Sequence, residues 1–352
     1  VIRTYFDTTI KDCTFDVANV STTDTYEDGI HAVDGAEVVV NNCTNANGDM
    51  KDIVNVHGAS VVTVDGVEIK NAAKAGNKYY ATFDEAFKAV NAGETLTLLA
   101  DLNMSDILTI NKAITFDGNG KKLTSTAARA INVSGADGVT IKNLTIDAKG
   151  ERAINVIQNA TNVTVDNVTA TAANYTVNLA SSAPNAVVAI SGSTLNGLCT
   201  VNVSAEGAKV TVDNSTVNCN DNNTTVGESY AALSLNKEAV GGSIIATNST
   251  INVTDGSDSM KGRNGAEDGT VTINGSTEGV AVMVAAITYP NSDNYHAFAT
   301  LKAAIEFAKT GDVITLIQDV TMDYNARDAY ATQAQNVVID GNRKTLTLNQ
   351  KN

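Results

Sequence analysis

Short runs in which apolar and polar residues alternate recur along nearly the whole chain, each closed by a turn residue. Ala130-Ile131-Asn132-Val133 is followed by Val139-Thr140-Ile141-Lys142-Asn143, and Ala153-Ile154-Asn155-Val156 by Val163-Thr164-Val165-Asp166-Asn167. Thr200-Val201-Asn202-Val203 then leads to Val210-Thr211-Val212-Asp213-Asn214. A period of two means strands, with Val163 and Val165 facing one side and Thr164 the other. The closing residue falls at Asp12, Asn42 and Gly66, and then at Gly118, Asn143, Asn167, Gly192, Asn214, Asn248 and Asn274, spaced by 25, 24, 25, 22, 34 and 26. Asn, Asp and Gly tolerate the left-handed backbone region that a sharp corner demands. A third short strand follows the corner, as in Val168-Thr169-Ala170.

Three strands and three turns within about one such repeat leave no room for a helical crossover, so equivalent strands can pair in parallel only by coiling. The pattern therefore predicts an all-β chain, a right-handed parallel β-helix (solenoid) with short amphipathic capping helices at module starts. A β-propeller would need four antiparallel strands and about 40 residues per repeat.

Two helices of one design interrupt the strands. Residues 82–91 read as a helix with a Thr82-x-x-Glu85 capping box, an apolar stripe of Phe83, Ala86, Phe87 and Val90, and Gly93 as terminator. The twin, 300–310, carries Leu301, Ala304, Ile305 and Ala308, with Gly311 at its end. Residues 81–102 align with 299–320 at a constant offset of 218, and both continue into Asp-Gly-Asn turns, Asp117-Gly118-Asn119 and Asp340-Gly341-Asn342. This is an internal duplication. It predicts the end of a module over 1–76, a complete module over 77–290 and the start of another over 291–352, with each helix covering the open end of a β-helix. Because the chain starts and stops mid-pattern, either a piece of a longer repetitive protein or head-to-tail self-association is expected.

Composition favours a solenoid. Hydrophobic residues reach 43% while aromatics are 5% and Trp is absent, so Val, Ile, Leu and Ala must fill a thin, regular core. The 24 Lys plus Arg against 39 Asp plus Glu give a net charge of −15, a field that repels phosphate backbones and anionic membrane surfaces. Nucleic acid is not an expected partner. No apolar run approaches the roughly 18 residues of a membrane span, so no membrane insertion is expected either. Cys13, Cys43, Cys199 and Cys219 form no Cys-x-x-Cys pair. Cys13 and Cys43 hold the same place in successive repeats, which lets them stack as a disulfide or as a buried pair of free thiols.

The stretches 81–124 and 299–347 resemble the module starts of right-handed β-helix surface proteins of bacteria in the pectate-lyase-like superfamily, and the coil pattern extends the likeness over nearly the whole chain. That superfamily includes polysaccharide lyases, glycoside hydrolases, adhesins and phage tail spikes, so the resemblance implies the fold and leaves the activity open. Its pectin-cleaving members use clustered acidic residues with an Arg. Nothing here matches those sets: His57-Gly58 lacks the paired Asp-Asp and Arg-x-Lys of the hydrolases, and Asp117-Gly118 stands where some lyases carry Asp-His. With His31, His57 and His296 as the only histidines, a His-based triad or metal site is not expected.

Three sets of residues remain as candidates. Arg129 and Arg152 each precede Ala-Ile-Asn-Val and should stack on adjacent coils near Asp147 and Glu151; such a pair either holds an acidic sugar or forms a solvated corner of local ion pairs. Asp255, Asp258, Glu267 and Asp268, in the long insertion 254–269, supply enough oxygen ligands for calcium, although their spacing fits no calcium loop and a flexible acidic loop is the default. A second insertion spans 218–228. Asn55, Asn132, Asn155, Asn178 and Asn202 make one polar column, and Thr63, Thr140, Thr164, Thr211 and Thr272 another; each is either a stabilising ladder, the commoner case, or a flat hydrogen-bonding surface for a glycan or for ice. The scarcity of aromatics argues against sugar-stacking platforms. The expected function is an extracellular or cell-surface structural and adhesive protein, bacterial or phage-borne, serving as a rigid spacer or as a surface for a glycan or protein partner. The competing readings are a polysaccharide lyase or glycoside hydrolase, a phage tail-spike segment and a head-to-tail filament subunit.

Overall fold

The computed structural model of the chain describes residues 2–16, 29–33, 35–56, 60–221, 230–255, 260–288, 295–325 and 334–351. It forms two compact units, one of residues 1–103, 112–123 and 142–144 and one of residues 104–111, 124–141 and 145–352. Both are built of parallel β-helix coils.

In the second unit the alternation of the sequence becomes stacked interior columns. Val163 pairs with Val188, then with Val210, Ile244 and Val271, while Val165 lies in register with Ile190, Val212 and Ala246. All of these side chains are buried. Like sits on like because each coil places the same strand position one strand spacing further on, and β-branched side chains pack well on that pleated surface. In the first unit Ile30 pairs with Ile2 and Val54, and Val38 and Val62 stack within a core that also takes in Val40 and Ile53.

The corners fall where the turn residues predict. Asn143, Asn167, Asn214, Asn248 and Asn274 have φ between 46° and 52°, and Gly192 has φ 54°. Gly118 departs from this. Its neighbour Asn119 takes the left-handed conformation instead, φ 50°. A Cβ on Gly118 would lie 2.6 Å from the Asn143 carbonyl oxygen, so glycine is required there by close approach of the next strand.

Just past three corners of the second unit, Ser193, Ser215 and Ser249 form a relay. Each Oγ donates to the carbonyl two residues earlier at 2.7 Å, and each accepts at 3.1 Å from a backbone N–H of the coil before: Val168, Ser193 and Ser215. Asn274 Oδ1 ends the series by accepting from the Ser249 N–H. A buried N–H turned away from its ladder by a sharp corner thereby keeps a partner.

The two helices lie at the expected places and are shorter than expected. Helix α1 is Phe83–Ala89 and α2 is Leu301–Phe307. The Thr82–Glu85 capping box forms in both directions, and Thr300 Oγ1 accepts from the Ala303 N–H. Neither helix is ended by its glycine. Val90 and Ala308 leave the helical conformation first, and Gly93 and Gly311, at φ 85° and 88°, shape the following turn. There the Asn91 N–H donates to Glu94 and the Lys309 N–H to Asp312, pairs that keep the offset of 218. The Lys112 ammonium donates to the Val90 carbonyl at the C-terminus of α1, a favourable place for a cation.

Each helix is preceded by strands that alternation did not reveal. Ala73–Ala75 pairs antiparallel with both Lys78–Tyr80 and Thr95–Leu98, and Ala285–Thr288 does the same with Tyr295–Phe298 and Val313–Leu316. The stretch around 71–78 is thus part of an antiparallel hairpin; residues 289–294 lie outside the described residues. Leu301 and Ala304 of α2, with Ala308 just past its end, pack into one core with Ala285, Ile287 and Phe298.

Candidate functional site

One sheet of the second unit carries the polar column and the paired arginines. Its strands are β1 (Leu108–Ile110), β2 (Arg129–Ser134), β3 (Arg152–Ile157), β4 (Tyr175–Leu179), β5 (Val201–Val203), β6 (Ala231–Leu235), β7 (Met260–Asn264) and β8 (Val280–Val282). Asn132, Asn155, Asn178 and Asn202 occupy equivalent positions on β2 to β5. Their amides form a ladder of one polarity. Asn155 donates to Asn132 at 2.9 Å, Asn178 to Asn155 at 2.7 Å and Asn202 to Asn178 at 2.7 Å.

Asn236 extends the ladder, donating to Asn202 at 2.8 Å. On β6 and β7 the register position itself passes to Ser234 and Arg263, which is why Asn236, two residues on, escapes a reading of the sequence by column. Arg263 closes the ladder, its Nη2 donating to Ser234 Oγ at 2.7 Å and to Asn236 Oδ1 at 3.2 Å. A cation at the acceptor end suits a row of aligned amides. Each donor amide uses one of its two N–H groups on its neighbour. The side chain of Asn55 lies outside the described residues.

Arg129 and Arg152 are register partners at the starts of β2 and β3, and Tyr175 follows them on β4. The Arg152 guanidinium lies over the Tyr175 ring, 5.4 Å from its centroid, and Nη1 reaches Asn155 Oδ1 at 3.4 Å. The Nε–H groups of Arg129 and Arg152 are buried and have no hydrogen-bond partner among the described residues. Burial pulls the Arg152 pKa below the usual arginine range; the charge of Arg129 pulls the same way, and Glu151 and Tyr175 oppose them. The acidic neighbours divide. Glu151 acts on Arg152 through its charge, whereas Asp147 is held by Lys149 at 2.7 Å.

A concave groove of about 610 Å³ runs over this sheet, with Arg152, Tyr175, Asn178, Asn202, Tyr230 and Arg263 among its lining residues. Burial raises the Tyr175 pKa, and Cys199 and Tyr230 add to the rise while Arg152 and Arg263 work against it. The sequence gives no sign of this gathering. Tyr175, Tyr230 and Arg263 stand on separate coils and meet only through stacking, so two aromatic rings and a guanidinium line one groove.

The other candidates are not drawn together among the described residues. Among the described residues no three His, Cys, Asp or Glu side chains are grouped to hold a metal ion. Glu267 is paired with Lys344, Asp268 sits at a corner with φ 53°, and Asp258, like His57, lies outside the described residues. The threonine column is interrupted, because Ala189 stands between Thr164 and Thr211, and Ile245 between Thr211 and Thr272. All four cysteines are free thiols. Cys13 and Cys43 lie beside the paired Thr14 and Thr44, as the repeat predicts, but each Sγ donates to a carbonyl of its own strand at 3.3 Å, and Cys13 is exposed rather than buried. No helix among the described residues is long and apolar enough to cross a membrane. Comparisons with protein-family models, with curated proteins and with solved structures find no match to this chain.

Proposed function

We propose that the chain is an extracellular or cell-surface β-helix protein, a structural and adhesive element that presents the groove over β3 to β7 to a glycan. The observation that carries this reading is the convergence in one groove of two tyrosines, two arginines and a floor of aligned asparagine amides. Aromatic faces suit the apolar faces of sugar rings, and fixed N–H groups suit their hydroxyls. The coils supply stiffness, since each satisfies its polar groups on the next.

Binding fits this groove better than cleavage. Two carboxylates facing one glycosidic bond are the usual requirement for hydrolysis, and Glu238 is the one carboxylate among the described lining residues. The superfamily resemblance agrees with either role. The test is an array of immobilised glycans probed with the wild-type chain and with Tyr230→Ala, each checked for folding by circular dichroism. Retention on a subset of glycans, lost in the variant, is the expected result. Retention on none, or retention indifferent to Tyr230, would remove the reading, and new reducing ends or unsaturated products in the same samples would replace it with an enzymatic one.

A further inference from the structure

We propose that the groove selects a sulfated saccharide, with Arg152 and its register partner Arg129 holding a sulfate ester while Tyr175 and Tyr230 flank the sugar that carries it. The proposal rests on the glycan-binding reading above and adds the chemical class of the ligand.

The argument starts from charge. A chain of net charge −15 nonetheless sets two arginines in register on neighbouring strands, about 4.8 Å apart along the stack. Like charges so placed repel, and their half-burial removes part of the water that would otherwise moderate the repulsion. The nearest relief is incomplete. Asp147 is spent on Lys149, Glu151 reaches Arg152 through its field without an ion pair among the described residues, and both Nε–H groups lack a partner. Stacking on Tyr175 orients the Arg152 plane. Arg152 lines the groove with its plane set by Tyr175, and Arg129 stands in register with it on the preceding coil, which makes this edge of the groove a place for an anion by charge and by placement.

The shape of the pair favours sulfate over carboxylate. One guanidinium fork takes up both oxygens of a planar carboxylate within its own plane, which leaves a second fork one coil away only their remaining, less well-placed lone pairs. A sulfate ester presents three terminal oxygens in three directions, enough to bridge forks on two adjacent coils. It is also the anion of a strong acid and stays ionised across the range in which carboxylates titrate. Arg263 cannot take this part, because its Nε and Nη2 are already bound to Ser234 and Asn236; it fixes the far end of the floor.

The experiment is calorimetric titration of the whole chain with three hexasaccharides: a sulfated one, the same backbone after chemical desulfation, and an unsulfated oligogalacturonate. The expected result is binding of the sulfated probe, roughly tenfold or more tighter than either of the others, as loss of charge-assisted hydrogen bonds implies. Arg152→Gln should abolish that preference and Arg152→Lys should keep only part of it, since a point charge lacks the fork. Equal binding of all three probes, or preference for the oligogalacturonate, would overturn the sulfate assignment and leave the glycan groove standing. Binding of no probe, in a chain that also fails on the glycan array, would overturn both. The ranking of probes on the wild-type chain decides the matter even where a variant does not fold.

Discussion

Asn178 sits in the middle of the amide ladder, buried, donating to Asn155 and accepting from Asn202. Replacing it by Leu strands an acceptor below and a donor above, each costing about 1–3 kcal/mol when buried. Asn178→Leu should therefore lower the denaturant midpoint well beyond what an exposed strand control such as Asn103→Ala does; equal midpoints would mean that the ladder carries no net stability. Tyr175 gives a pH dependence. Its pKa is raised above the ordinary 10.0 by burial, so the folded state holds the phenolic proton more tightly than the unfolded chain. The resulting stability is complete below pH 10 and is lost as pH climbs through the raised value. Denaturation followed from pH 9 to 11 should show an alkaline decline that Tyr175→Phe reduces. Much of this scale was legible beforehand. The corner residues announce themselves because few side chains tolerate positive φ, and the asparagine column because identical residues recur one coil apart. Asn236 was not, since it reaches the ladder from the next outward position.

At the level of elements, alternation betrays a strand only when it is several residues long and has a polar and an apolar face. The strands Val163–Thr171 and Lys209–Asp213 meet that condition. Ala73–Ala75 and Lys78–Tyr80, three residues each, do not, and their antiparallel pairing comes from a tight turn at Gly76, φ 56°. The helices were legible in place and cap but not in length, because extended backbone at Val90 and Ala308 ends them before their glycines are reached. The cap can be tested alone. Thr82→Ala removes the hydroxyl that accepts from Glu85 and should cost about 1 kcal/mol, seen as faster amide exchange across α1. Exchange unchanged in α1 would show that packing against the hairpin, rather than the cap, sets its stability.

At the scale of the whole molecule, the net charge of −15 opposes the approach of any anionic glycan, while the arginine pair acts only at short range. The Debye length falls from about 30 Å at 0.01 M salt to about 10 Å at 0.1 M. Association of a sulfated probe should therefore speed up as salt is raised across that interval, and slow down only if the local pair dominates the long-range field; stopped-flow rates at both ionic strengths separate the two. The serine relay gives the molecule a direction as well. Val168, Ser193 and Ser215 each wait for a hydroxyl that lies one coil later in the chain, so each of these corners is completed by its successor. A polypeptide leaving the ribosome or a secretion channel N-terminus first would carry, beside the unpaired strand groups of its last turn, one open corner donor that is passed forward as the next of these turns is laid down, much as a live stitch passes from row to row in knitting.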